Sequence, residues 1–481
     1  MIRKKIYFTF STFPLLTLII FSFLCAQRKA PYTAQGAKVG EVTSTSAVVW
    51  VRLTASPTRN TDSGDWPDTG KPTNWGPDPG FIGQCPGSPG MVRIYYSEEK
   101  NSKKYTEWAS VDESSDFCYQ FNIRNLKPAA VYFYQVETAD ITGKQTRLCA
   151  TGRFITAPDP DVWDDILFTV ITGQAVRSTD REDGFNTYIS MKNLNPNFLV
   201  CTGDNVYYDS DPPIAKIPSV ARFHWHRIYS LPTVVSLFET VPAYFEKDDH
   251  DYRWDDSDPH RDFPGISHKD GMTIFKEQVP MSDKTYRTFR WGEGLQIWLV
   301  EGRDYRSPNT MPDGPEKSIW GREQKLWLKE GIESSNALFK VLISPTPIVG
   351  PDRQTKIDNH ANQRGFWTEG REFLKWAKEN AGGNFFIVCG DRHWQYHSIG
   401  ETGIMEFSCG CTSDKHAEGI TESPKSAPRW PPDKQPYYRI NIGGFLSVKV
   451  SKIDNKPTIT FRHHDVFGKI LYQWQKSVME E

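Results

Sequence analysis

Two stretches of this chain share one layout. Phe198-Leu199-Val200-Cys201-Thr202 runs into Gly203-Asp204-Asn205-Val206-Tyr207, and Phe385-Phe386-Ile387-Val388-Cys389 runs into Gly390-Asp391-Arg392-His393. A third cluster, Asp248-Asp249-His250-Asp251, follows the aromatic pair Tyr244-Phe245. Each places oxygen or nitrogen donors just after an apolar run. The two oxygens of a carboxylate such as Asp204 point apart and can bridge two cations. Asn205 adds a neutral oxygen, and Tyr207 a phenol that becomes a good ligand when a strongly charged cation lowers its pKa. Four titratable side chains in a row at 248–251 would repel one another in a solvated loop but suit the surroundings of a cation. His393 is the natural imidazole ligand of the third cluster. His250 is placed to bind metal or to donate a proton to a substrate oxyanion, and Asp391 to orient His393 from behind. His397 lies four positions beyond His393. It shares that face if a helical turn begins there, and is otherwise an ordinary core histidine. Asp255, Asp256 and Asp258 extend the negative run and are candidates to capture calcium. Arg303 and Arg306 follow another apolar run, where a guanidinium clamps an anionic oxygen or makes a structural ion pair. The chemistry these residues suit together is metal-assisted hydrolysis.

The elements that must position them are short. Apolar runs of this length read as buried strands. The glycine at each end permits a sharp turn, which delivers the donors to the C-terminal edge of a sheet, where open α/β folds place their sites. Further strands are predicted at 166–171, 295–300 and 339–343, and helices at 183–193, 321–332 (Leu326, Trp327 and Ile332 as its apolar face) and 369–380. Alternation of this kind argues α/β. Residues 37–157 read differently. Strands at 47–51, 91–96, 118–123, 131–136 and 152–156, separated by turns, suggest a small β-sandwich. Residues 158–165 read as a linker, 56–90 as a long loop rich in Pro and Gly, and 445–450 with 458–462 as a terminal β pair.

The 481 residues suffice for two or three domains, and the net charge of -2 carries no polyanion signal, so no nucleic-acid surface is expected. Residues 1–26 read as a Sec-type signal peptide: Arg3-Lys4-Lys5, an apolar segment, then Ala26. Ordinary cleavage near Ala26 is preferred to lipidation at Cys25, because Leu24 is bulky. A secreted or periplasmic protein follows, with no transmembrane segment after cleavage. Of the remaining cysteines, 201 and 389 should be buried apolar groups, and one bridge among 85, 118 and 149 is plausible. There is no Walker loop, dinucleotide fingerprint or nucleophile elbow.

With these pieces in place the chain resembles the PhoD-like alkaline phosphatases, from about Gly36 to the last strands. Gly203-Asp204-Asn205-Val206-Tyr207 is similar to the family's Gly-Asp-x-x-Tyr, Asp248-Asp249-His250 to its Asp-Asp-His and Gly390-Asp391-Arg392-His393 to its Gly-Asp-x-His. Arg303-Asp304-Tyr305-Arg306 and Gly321-Arg322-Glu323-Gln324 resemble two further segments. The resemblance implies a four-layer α/β/β/α metallophosphoesterase core over residues 166–470, preceded by a fibronectin-III-like sandwich. It implies phosphomonoester or phosphodiester cleavage with Fe3+ and Ca2+. Asp204, Tyr207, Asp249 and His393 would hold metal, and His250 and Arg303 would steady charge on the phosphate. Asn205, Asp248, Asp251, Asp391 and His397 would stand behind the ligands or touch substrate. One departure matters: where the family's first core strand ends in Ser-Cys-Gln, with the thiolate on iron, this chain has Thr172-Gly173-Gln174.

The substrate expected is a small phosphate ester, or a phosphorylated or sulfated polymer. Two rivals share the fold: a sulfate-ester hydrolase, and a catalytically weakened protein whose aromatic surface binds glycans.

Overall fold

The computed structural model describes residues 29–62, 81–98, 104–261, 265–353, 355–417 and 438–478. The signal segment and most of the loop at 56–90 lie outside these residues.

Two sheets lie face to face. The first has nine strands. Its centre is the parallel trio Ile166–Ile171, Phe198–Thr202 and Ala243–Glu246. The antiparallel strands Phe445–Ile453, Lys456–His464 and Ile470–Ser477 extend it on one side. The second has seven strands, with Leu295–Leu299, Phe339–Ser344, Phe385–Cys389 and Met405–Cys409 parallel. Residues alternate between faces because successive strand side chains point opposite ways. Phe198 and Val200 join Ile297, Val341, Val388 and Phe407 in the core between the sheets. Leu199 and Cys201 point outward, against Tyr188 and Met191 of the helix Asn186–Leu194 and Trp225 of Pro218–Tyr229. Trp298, Leu342 and Ile387 point the other way, against Leu328 and Phe373 of the helices Gly321–Ser334 and Trp367–Asn380. Because both faces of the central strands are covered, Phe198–Thr202 and Phe385–Cys389 are buried along their whole length and almost wholly apolar. The result is the expected four-layer α/β/β/α core.

The N-terminal β region is joined to this core through a sheet. Ala37–Gly40 pairs with Ala243–Glu246 at Gly40 and Ala243, so Ala37–Gly40, Ser46–Arg52 and Cys118–Arg124 extend the nine-stranded sheet. Against them lies a second sheet built on Gly90–Ser97, Val131–Ala139 and Thr146–Ile155. Val49, Phe121, Ile94 and Tyr134 share one core with the central sheets.

Three expectations need correction. Leu326 is half exposed, and Leu328 with Ile332 forms the buried face of its helix. Cys85, Cys118 and Cys149 are all free thiols, so the bridge considered among them is absent. His397 sits in the strand Gln395–Ile399, stacked on Phe407 with ring centroids 4.2 Å apart. In a strand, its four-residue spacing from His393 does not bring the two onto one helical face.

Candidate active site

The parallel strands of both sheets end at one edge, and the donors converge there. Gly203 has φ +96°, and a Cβ on it would stand 2.6 Å from Cβ of Asp248. A side chain here would push apart the Asp204 and Asp248 turns, so the glycine lets the two ligand-bearing loops touch. The two sheets meet at Gly390, where an added Cβ would lie 2.3 Å from Oγ1 of Thr202.

Asp204 is the hub. Its Oδ2 accepts a hydrogen bond from the Tyr207 hydroxyl at 2.8 Å and lies 3.1 Å from Nε2 of His393. The Tyr207 hydroxyl also lies 3.0 Å from Nε2 of His393 and 2.8 Å from Nε2 of His416. The other Asp204 oxygen, Oδ1, is buried with no hydrogen-bond partner. Asp204, Asp249 and His250 each offer a ligand atom within 4.8 Å of the others. A buried carboxylate oxygen is ordinarily paired, so this orphan among donors is suited to bind a cation. Burial, reinforced by Asp249, pushes the Asp204 carboxyl up to about 7 against the pull of His250. Burial, and then the Asp204 charge, likewise raises the Tyr207 phenol well above its ordinary range. In the protein alone Tyr207 keeps its proton, and only a strong neighbouring positive charge would remove it.

His250 lies on the opposite side of Tyr207, with ring centroids 4.5 Å apart. Its Nδ1 is held by both oxygens of Asp209, at 2.8 and 2.9 Å. Burial opposes its charge, but Asp249, Asp204 and Asp209 outweigh burial and raise its pKa well above the ordinary value. His250 is therefore held in place by a carboxylate, in surroundings that favour its protonated form.

Several predicted residues support this hub from behind. Asp251 accepts from the Asn205 backbone at 3.0 Å, the Asn205 amide at 2.5 Å and the Asp248 backbone at 2.7 Å, locking two ligand loops together. Asn205 also donates to the carbonyl of Glu246 at 2.9 Å, so its amide is engaged in the scaffold. Arg303 has no exposed side-chain surface. It bonds Asp248 at 2.6 Å, the carbonyl of Ser257 at 3.0 Å and Asp358 at 3.2 Å. It thus lies behind Asp248, outside the cleft lining, instead of facing a substrate oxygen. Arg306 is also buried, donating to Gly302 and Asn309. Asp391, by contrast, lines the cleft and pairs with Arg392, which reaches on to Asp352. Asp258 accepts from the backbones of His260, Arg261 and Asn309 and closes a turn.

Above the hub opens a cleft of about 500 Å³. Arg177, Arg353, Lys356 and Arg392 line it, together with Asp204, Tyr207, His250, His393 and His416. Sequence reasoning missed His416, Asp209 and Arg353. His416 had a signal: Met405–Cys409 followed by Gly410 repeats the strand-glycine layout of the other clusters.

At position 173 the departure from the family pattern has a steric counterpart. A Cβ on Gly173 would lie 2.9 Å from Cβ of Cys411 and 2.9 Å from Cδ2 of His393. Those side chains fill the space a cysteine would need. The side-chain groups in contact with Asp204 Oδ2 are the Tyr207 hydroxyl and Nε2 of His393.

Two packed sheets flanked by helices, with a carboxylate-imidazole-phenol cluster at their shared C-terminal edge, define a metallophosphoesterase fold. Comparison with known proteins narrows this. Residues 168–476 match the PhoD-like phosphatase family and residues 22–158 its N-terminal domain, so the chain belongs to the PhoD-like phosphatases, a family of phosphoester hydrolases. Among solved structures it is similar to one described as the structure of PhoD, at 15% identity and TM-score 0.70, covering 94% of this chain and 90% of that one. It is also similar to the purple acid phosphatase PPD1 from yellow lupin (Lupinus luteus) seeds, at 12% identity and TM-score 0.63, covering 93% and 74%. At these identities the likeness speaks to the fold. A search of curated proteins returned no match.

Proposed function

We propose that the protein is an exported, metal-dependent hydrolase of phosphate esters, with Asp204 at the centre of its cation site. The observation that carries this reading is the buried, unpartnered Asp204 Oδ1 beside Asp249 and His250. Asp204, Tyr207, His393 and His416 would hold a cation on one side, and Asp204 with Asp249 on the other. Phenol and imidazole suit ferric iron, while carboxylates suit calcium; Gly173 leaves such a centre without the family's thiolate. When bound, the cations make water a stronger acid and offset the charge of the phosphate.

The chain's own groups do the rest. Asp209 fixes Nδ1 of His250 and leaves Nε2 toward the cleft. A water oxygen bonds to phosphorus as the P–O bond to the ester oxygen breaks, and Nε2 of His250 delivers its proton to that leaving oxygen, so the alcohol departs neutral and phosphate keeps the water oxygen. Arg177 and Arg353 on the cleft wall hold the non-bridging oxygens. Arg303 acts indirectly, by keeping Asp248 and its loop in place. Tyr207 ties Asp204 to both histidines and keeps the donors preorganised, so little reorganisation accompanies binding.

Export rests on the sequence of residues 1–26. Among the described residues no helix is long and apolar enough to cross a membrane.

Parallel assays on nitrophenyl phosphate, bis-nitrophenyl phosphate and nitrophenyl sulfate, before and after chelation, test this function. Phosphate-ester turnover that chelation removes and metal restores is expected. Turnover of the sulfate alone, or none on any ester, contradicts it.

A further inference from the structure

A second acidic group adjoins the hub. Asp249, Asp255 and Asp256 bring ligand atoms within 4.8 Å of one another, and carboxylates so close repel strongly unless a cation sits among them. The sequence marks Asp255 and Asp256, with Asp258, as candidates to capture calcium, yet a positive charge of the chain is already at the first two. Nζ of Lys356 lies 3.2 Å from Oδ1 of Asp255 and bonds Oδ1 of Asp256. Its side chain is only 13% exposed. Other oxygens of the group are engaged too. The backbone of Asp256 donates to Asp249 Oδ2 at 2.6 Å, and that of His250 to Asp249 Oδ1 at 3.0 Å. Asp255 Oδ1 also stands 3.9 Å from Nε2 of His250. The contrast is with Asp204, whose Oδ1 has no hydrogen-bond partner, whereas the carboxylates of Asp255 and Asp256 are engaged by the chain itself.

We propose that the Lys356 ammonium is the resident cation of the Asp255/Asp256 pair, a tethered charge that excludes a divalent ion between those two carboxylates and leaves Asp249 to the Asp204 centre. This rests on the metal-dependent reading of the Asp204 site. Calcium takes six to eight oxygen ligands. To recruit Asp255 and Asp256 it would have to displace the ammonium and break two ion pairs. A tethered ammonium holds the loop bearing Asp255 and Asp256 against the 355–358 segment at any free calcium concentration. The cleft wall is then set by the chain itself rather than by metal supply.

The test is the calcium stoichiometry of the chelator-stripped full chain, measured by isothermal calorimetry. Lys356→Met, of similar length and no charge, should bind one Ca2+ more per chain than wild type. Lys356→Arg, which keeps the charge, should retain the wild-type number. Adding Asp256→Asn to Lys356→Met should abolish the extra ion. Lys356→Gln serves the same purpose if the methionine variant does not fold. Equal stoichiometry and affinity in wild type and the uncharged variants overturns the proposal while leaving the Asp204 reading intact. Failure of wild type to bind any ion, with Asp204→Asn indistinguishable from it, overturns both.

Discussion

The Tyr207 hydroxyl donates to Asp204 Oδ2 at 2.8 Å, so two residues three positions apart close a short turn and share one proton donor at the hub. The same hydroxyl lies within 3.0 Å of Nε2 of His393 and His416, which come from two other loops. One phenol therefore couples three chain segments. Tyr207→Phe removes all these contacts without changing shape. It is expected to lower metal affinity by about 10–100-fold and, if the bound ion is ferric, to abolish any tyrosinate-to-iron absorption band. Metal titration and the visible spectrum check both.

Asp204→Asn should separate function from stability. The Asp204 carboxyl titrates near 7 in the fold against an ordinary 3.8. A raised carboxyl pKa means the fold prefers the protonated form, so this group destabilises the metal-free protein as pH rises from 3.8 toward 7. Asparagine removes that cost. Metal-free Asp204→Asn is expected to be more stable than metal-free wild type at pH 8, by roughly 2–4 kcal/mol, and to gain nothing from added metal. Urea unfolding of both proteins, with and without metal, is the measurement.

His250→Gln should lower kcat by about 10²–10⁴-fold, with a larger loss for poor leaving groups than for nitrophenolate, which leaves without needing a proton. Asp209→Asn should lower kcat less and shift the alkaline limb of the profile to lower pH, because Asp209 helps to keep His250 protonated. Rates on alkyl and nitrophenyl phosphates from pH 5 to 9 give both results.

Arg303→Met leaves Asp248 and Asp358 buried without their partner. Breaking a buried ion pair from one side costs about 3–5 kcal/mol. The variant should lose that much stability, read by urea unfolding. Asp248→Asn in the same background should recover part of it.

Buried imidazoles make the fold sensitive to acid. Burial lowers His463 to about 3 and His397 to about 4, so both remain neutral in the fold. The unfolded chain takes up their protons below about 6.5. Stability is therefore full above that pH and falls as pH drops toward 4, by roughly 1.4 kcal/mol per pH unit for each imidazole. His463→Gln should make the slope between pH 6 and 4.5 shallower by one proton, measured by urea unfolding across that range.

The strands that carry the ligands were legible because both of their faces are buried. Phe198–Thr202 and Phe385–Cys389 have no polar residue before their last positions, and the glycine and donors that follow mark where each strand ends. The helix Pro218–Tyr229 was not legible. It buries His224, Trp225, His226 and Arg227 together. Its polar groups are satisfied by remote partners, such as Asp116 for His226 at 2.6 Å and the Pro212 carbonyl for Arg227 at 2.6 Å. Apolar periodicity cannot register burial of that kind. His416 escaped for a related reason: its strand Met405–Cys409 contains Glu406 and Ser408, whose polar groups break the apolar run. Arg303 shows the converse limit. Its position after a strand was readable, but whether it faces a substrate or Asp248 depends on contacts 55 residues away.

The central claim is that loops separated in sequence enclose metal at Asp204 and use it for ester hydrolysis. Elemental analysis of freshly purified wild type and Asp204→Ala, paired with turnover of nitrophenyl phosphate, tests it most directly. Stoichiometric metal and activity in wild type, both lost in the variant, is the predicted result. A variant that keeps its metal and full phosphatase activity would contradict the account.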